Sequence, residues 1–196
     1  MTEAEQFSNL LSRYFCCPLT RTQVSALYGH YRLLTRWNKA LNLTTVVSLG
    51  ESVLRHYCES LFLGAHLPAG TGAVLDVGSG GGFPGVPVAV LRSECNVTLA
   101  ESHQRKAVFL REATRQIPNI RVEPQRAEQL DTGAFGWVVA RAVNWSEVIE
   151  LAHNGIALLL GQDDAVEALR VSTFNWQPPV LLPWGKRRVL VIGGRV

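Results

Sequence analysis

The run Ala73-Val-Leu-Asp-Val77 ends directly on Gly78-Ser-Gly-Gly-Gly82, and this junction constrains the fold more than any other stretch of the chain. A short apolar run bounded by glycine reads as a buried strand. Four glycines in five residues exceed what a tight turn requires. They leave the backbone free of side chains, so that its amides approach a ligand closely. Pro84 follows at the first turn of a helix predicted over 84–91, where its missing amide is harmless. Strand, glycine loop and helix in that order predict an α/β unit with a ligand at the positive end of the helix.

The rest of the chain repeats the alternation. Strands are predicted at 96–100, 120–122, 137–140 and 156–160, with closing strands at 180–182 and 188–192. Helices are predicted at 104–116, stopped by Pro118, and at 145–152 and 163–171. Such alternation gives a mostly parallel sheet wound on both faces, with ligands outside the carboxyl ends of its strands. Upstream the period changes. Val24, Leu27, Tyr31, Leu34, Trp37 and Leu41 recur at three- and four-residue steps, one face of a helix over 22–41. A second helix over 51–65 uses Leu54, Tyr57, Leu61 and Phe62, and Gly64, Pro68, Gly70 and Gly72 then interrupt the chain. The 196 residues read as one domain, with 1–68 a helical extension and 73–196 an α/β core.

Composition narrows the class. With 47% hydrophobic and 18% charged residues the chain is a folded globular one, and its net charge of +3 is only a mild tilt towards polyanions. Cys16, Cys17, Cys58 and Cys95 follow neither disulfide nor zinc spacing. Reduced thiols in a cytoplasmic chain are expected, with no metal. The opening residues are acidic where a secretory signal is basic and then apolar, and no apolar run approaches the roughly 20 residues of a membrane span.

Two cofactors compete for the glycine loop. Gly80-Gly-Gly-Phe-Pro-Gly85 also fits the spacing of dinucleotide sites, and Glu101, ending the second strand, suits the ribose hydroxyls of either cofactor. Asp76 discriminates. An acid two residues before the first glycine sits badly beside a pyrophosphate and well beside the ammonium and sulfonium of S-adenosyl-L-methionine. That cofactor is expected on Asp76, Gly78, Gly80 and Glu101.

From Asp76 to Pro87 the chain reads Asp-Val-Gly-Ser-Gly-Gly-Gly-Phe-Pro-Gly-Val-Pro. This resembles the bacterial 16S ribosomal RNA guanine-N7 methyltransferases of the RsmG type, formerly called glucose-inhibited division protein B. Trp37-Asn-Lys-Ala-Leu-Asn-Leu-Thr44, His56-Tyr-Cys-Glu-Ser-Leu61, Glu101-Ser-x-x-Arg-Lys106 with Phe109-Leu110, and Val139-Ala-Arg-Ala142 are similar to further family elements, in order. The resemblance implies a Rossmann-like S-adenosylmethionine-dependent methyltransferase sheet flanked by helices. It implies cofactor contacts at Gly78, Phe83, Ala127, Glu128 and Arg141, with Arg141 also a candidate for orienting the guanine. The implied partner is 16S ribosomal RNA or the small ribosomal subunit, met by a monomer. Glu59 stands where the family usually has Asp. Leu160 stands where it typically has Lys, which removes an active-site or RNA contact that Lys186, Arg187 or Arg188 would have to replace.

The guanine ring nitrogen already carries a lone pair, so its methylation requires no general base, and none is evident beside the loop. Catalysis by proximity is expected, with donor methyl and nitrogen held about 3–3.5 Å apart and an aromatic such as Phe83 or Trp145 under the base, although the size of Trp145 places it rather in the core. Arg32, Arg36 and Lys39, then Arg105, Lys106, Arg111 and Arg115, and finally 186–188 supply basic clusters for an RNA face. A nucleotide-binding oxidoreductase, a methyltransferase acting on another substrate and a non-catalytic RNA-binding relative stay open at this point.

Overall fold

The computed structural model describes residues 1–185 and 187–196, so the expectation placed on Lys186 lies outside the described residues. Helix α1 (Glu3–Tyr14) opens on a capping box between Thr2 and Glu5 and buries Phe7 and Leu11. Helix α2 (Arg21–Leu41) opens on a second one, Thr20 with Gln23, and ends on Asn42 in the left-handed conformation. A continuous helical stretch follows: α3 (Leu49–Ser52), a π-helical segment (Val53–Cys58) and α4 (Glu59–His66). The extension therefore holds the two expected helices and one more, α1.

The core runs β1 (Ala73–Val77), α5 (Gly85–Leu91), β2 (Asn96–Ala100), α6 (Gln104–Ala113), β3 (Ile120–Glu123), β4 (Trp137–Arg141), α7 (Trp145–Leu151), β5 (Gly155–Gly161), α8 (Gln162–Ala168), β6 (Phe174–Trp176), β7 (Val180–Leu181) and β8 (Arg188–Arg195). Strand order is β3-β2-β1-β4-β5-β8-β6, with β7 pairing β8. The first five strands are parallel, and β8 is antiparallel to both β5 and β6. The chain leaves β1 towards β3 and returns beside β1 as β4. This puts the switch point between β1 and β4, with the glycine loop directly above it.

Side chains alternate across the strands and build two cores. Val74, Val139 and Leu159 pack with Phe7, Leu27 and Leu61 on the face covered by α1, α2, α4, α5 and α6. Leu75, Val138 and Leu158 pack with Val148 and Ala165 on the face covered by α7 and α8. Asp76 follows the period of Val74, and Arg141 that of Val139, so both lie beneath the helical extension.

Candidate active site

The loop after β1 turns its donors inward. The amides of Gly78 and Ser79 both donate to Ala100 O (3.0 and 3.1 Å), extending the β1–β2 pairing beyond the strand. The amide of Gly80 donates to Glu101 Oε2 at 2.9 Å, while Glu101 Oε1 takes the amide of His103 at 2.8 Å. The amide of Gly85, first in α5, donates to Asp76 Oδ2 at 2.9 Å. Gly78, Gly80 and Gly82 have φ of 67°, 54° and 92°, which only glycine adopts without strain. Gly85 is glycine for a different reason: a Cβ there would stand 2.6 Å from Asp76 Oδ2.

This differs from the expectation that loop amides and a free helix start would greet the ligand. Carboxylates and a carbonyl already occupy those donors, which makes the loop a poor seat for a pyrophosphate. The carbonyls of Gly78 and Gly80 accept none of the hydrogen bonds formed among the described residues. A cationic ammonium needs acceptors of this kind. Asp76 is fully buried, so it stands behind the loop and does not open on the crevice. Its Oδ1 has no partner among the described residues, and burial raises its carboxyl to about 7.

The predicted contacts form two groups. Gly78, Ala127 and Glu128 line one cleft of about 140 Å³, together with Ser102, Val143 and Asn144. It lies outside the carboxyl ends of β1 to β4. Ala127 and Glu128 open a 3-10 turn (Ala127–Gln129), where the first amides have no partner inside the turn. Pockets for whole small molecules are about 300–1,000 Å³, so the cleft suits one ring system of a larger ligand. Gly80 and Glu101 do not line it, but each neighbours a residue that does, Gly78 and Ser102. This donor and acceptor set fits S-adenosylmethionine, with backbone amides for an adenine edge and carboxylates for hydroxyls.

Asp76, Phe83 and Arg141 form the second group, on the face beneath the extension. The Arg141 guanidinium donates to the Arg55 carbonyl and, at 3.0 Å, to His56 Nδ1. It lies 3.7 Å from Glu59 Oε2 and 5.2 Å from the Phe83 ring centroid. Arg188 reaches the same Glu59 oxygen at 3.2 Å, so one buried carboxylate joins two guanidiniums. Burial, offset by Glu59, lowers Arg141 to about 10. His56 stacks on Phe83 at 4.7 Å and meets Thr44 Oγ1 at 2.7 Å through Nε2. Burial, and then the positive Arg141, push His56 down to about 3.

One expectation changes here, for Phe83, while Trp145 takes the core place expected of it. Phe83 is buried under His56 and does not offer a face to a base. Trp145 packs half-buried with the second core, on the opposite face from Arg141. Leu160 points into that second core too, paired across β8 with Val189, so its side chain joins an apolar cluster. Arg187 pairs with Asp163 at the surface, whereas Arg188 joins the Arg141 cluster through Glu59.

One neighbour of the loop escapes the sequence reading. His30, on α2, is 1% exposed, bonds Tyr57 Oη through Nδ1 at 2.7 Å and presents Nε2 to the backbone of Gly81 and Gly82. Burial lowers it to about 4. Its only sequence signal is its place beside Leu27, Tyr31 and Leu34 on the buried side of α2.

Sheet order, the antiparallel β8 and a loop with inward donors define the fold of the S-adenosylmethionine-dependent methyltransferases. A crystal structure titled as a SAM dependent methyltransferase from Aquifex aeolicus is similar with a TM-score of 0.59 and 14% identity, covering 74% of this chain and 93% of that one. Residues 23–170 match the family model GidB, described as rRNA small subunit methyltransferase G, and the chain belongs to that family. Ribosomal RNA small subunit methyltransferase G of Leptothrix cholodnii is 39% identical over 132 residues, 64% of this chain and 61% of the relative. The protein of the same name from Chromobacterium violaceum is 34% identical over 171 residues, 85% of this chain and 79% of the relative. Against the first of these the match thus spans about three fifths of the relative's length.

Proposed function

We propose that this chain transfers a methyl group from S-adenosyl-L-methionine to N7 of a guanine in 16S ribosomal RNA, working as a monomer in the cytoplasm. The observation that carries the reading is the glycine loop. Its amides are consumed by Ala100, Glu101 and Asp76, and its residues fall inside the family match. A loop rich in acceptors and poor in donors favours a cationic methyl donor over a dinucleotide.

When bound, the cofactor supplies an electrophilic methyl on a sulfonium. Ala127 and Glu128 would hold its base and Glu101 its ribose, with the carbonyls of Gly78 and Gly80 for its ammonium. Asp76 sets the loop from behind, through Gly85. Arg141 is held by His56 and Glu59 at the end of β4, where its remaining donors orient the guanine through its acceptor edge. No residue needs to remove a proton, since the ring nitrogen attacks with its own lone pair. The reaction gains from alignment of the two reactants.

The test is methyl transfer from labelled S-adenosylmethionine to small ribosomal subunits, with mass spectrometry of the 16S RNA to locate the modified base. Label in an N7-methylguanine is the expected result. Binding of NAD without binding of S-adenosylmethionine would overturn the reading, as would label that appears only in small molecules.

A further inference from the structure

We propose that the groove between α2 and α6 is the RNA-docking surface of this chain and holds the phosphate backbone of the substrate strand. The proposal rests on the ribosomal RNA methyltransferase reading above and extends it to a place on the molecule. The groove, of about 730 Å³, is lined by Leu33, Arg36 and Trp37 from α2 and by Val108, Arg111 and Arg115 from α6 and its end.

Charge distinguishes the two helices that wall this groove from the rest of the protein. Residues 21–41 and 104–115 hold eight of the chain's 19 Lys and Arg residues and one of its 16 Asp and Glu residues, a net +7. The whole chain carries +3, so everything else carries −4. None of those eight cations enters an ion pair among the described residues, whereas Arg92, Arg121, Arg141, Arg187 and Arg188 all do. An ordinary solvated face intersperses both signs. A groove in which Arg36, Arg111 and Arg115 outnumber the single Glu112, with none of the three in an ion pair among the described residues, is the electrostatic footprint of a polyanion.

The floor of the groove suits RNA better than a lipid surface. Trp37 is half-buried, anchored 6.0 Å from the Phe109 ring, and Leu33 is recessed beside it, with Val108 exposed between arginines. A membrane-binding face carries projecting apolar residues. Here Leu33 and Trp37 are sunk between cations and Val108 alone projects, as in a channel that tracks a backbone and touches its sugars or bases. The two helices also reach the candidate site. Leu34 on α2 lies against Gly81, and α6 begins three residues after Glu101. A strand in the groove is therefore led to the glycine loop.

The experiment compares two pairs of substitutions in the full chain. Arg36→Ala with Arg111→Ala removes two charges from the groove, and Arg13→Ala with Arg170→Ala removes two exposed charges elsewhere. Binding to 16S RNA is measured across a salt series, with S-adenosylmethionine affinity and the maximal methylation rate at saturating RNA. The groove pair should weaken RNA binding by about tenfold or more and flatten the log–log salt slope by about 1.4, two contacts at roughly 0.7 each. Its cofactor affinity and maximal rate should match the wild type. Equal weakening by the control pair, or none by the groove pair, would overturn the groove. So would a groove pair that still binds and methylates RNA normally but loses an acidic protein or phosphatidylserine vesicles. Wild-type protein that binds S-adenosylmethionine yet neither binds nor methylates RNA would sink the methyltransferase reading and the groove with it.

Discussion

Arg141 dictates the tautomer of His56. A guanidinium only donates, so His56 Nδ1, 3.0 Å away, accepts, and the ring proton sits on Nε2 facing Thr44 Oγ1. Protonating His56 would place a second cation against Arg141 and break that bond.

This pair and two neighbours set how stability responds to acid. His56 and His30 are held down at about 3 and about 4 when folded, against an ordinary value near 6.5. Their contribution is complete above about pH 6.5 and is lost as pH falls towards those values. Asp76, raised to about 7, acts in the opposite sense: its contribution is complete below about pH 4 and fades as pH rises to 7. Between about pH 4.5 and 6 the unfolded chain gains two protons at the histidines, and the folded chain gains one at Asp76. The histidines win by one proton, so unfolding free energy should rise with pH by about 1.4 kcal/mol per unit. His56→Asn should flatten that slope and Asp76→Asn should roughly double it. Urea midpoints across this window decide the matter, and an unchanged slope in His56→Asn would reject the assignment.

Two glycines should respond to alanine with opposite signs. At Gly85 the new methyl meets Asp76 Oδ2, so Gly85→Ala should destabilise by about 1–3 kcal/mol. At Gly29, exposed on α2 with nothing within 4 Å, the same change should stabilise by about 0.5–1 kcal/mol. Chemical denaturation of the two variants checks both, and equal effects would contradict the packing described.

Glu101→Gln replaces one oxygen that accepts a backbone amide with a nitrogen that cannot. One of the bonds to Gly80 and His103 must be lost. Loss of a hydrogen bond to a charged group costs about 1.5–3 kcal/mol of folding stability, and S-adenosylmethionine affinity by calorimetry should fall as well, because the ribose loses its carboxylate and Gly80 its anchor. Wild-type affinity would remove Glu101 from the site.

Arg141→Lys keeps the charge and loses the planar fork that reaches both the Arg55 carbonyl and His56. Methyl transfer should drop by roughly tenfold or more, with the fold retained by circular dichroism. Undiminished transfer would show that only the charge at this position matters.

The strand–loop–helix start of the core was legible because local signals coincide there: an apolar run, then glycines, then Pro84. Helix α1 carried local signals as well, Thr2 three residues before Glu5 and Phe7 with Leu10 and Leu11. The three-residue β6 has no such signal, since it exists only by pairing with the glycine end of β8. The division of the site was less accessible still. The period of two in β1 implies that Asp76 shares a face with Val74, but which face meets the extension depends on contacts far along the chain. Phe83 and Trp145 are both aromatic residues next to predicted loops, and only the opposite cores they join tell them apart.

The docking of α2 on α5 and α6 has a consequence for synthesis. Part of the apolar side of α2, Trp37 against Phe109, is covered only once residues 104–113 exist. At roughly 5–20 residues per second, the intervening 70 or so residues keep that side waiting for about 4–14 s on the ribosome. Ribosome pausing anywhere between those helices lengthens the interval in which a nascent chain shows a greasy flank to its neighbours. Translation speed over this stretch thereby becomes a determinant of how much protein escapes aggregation.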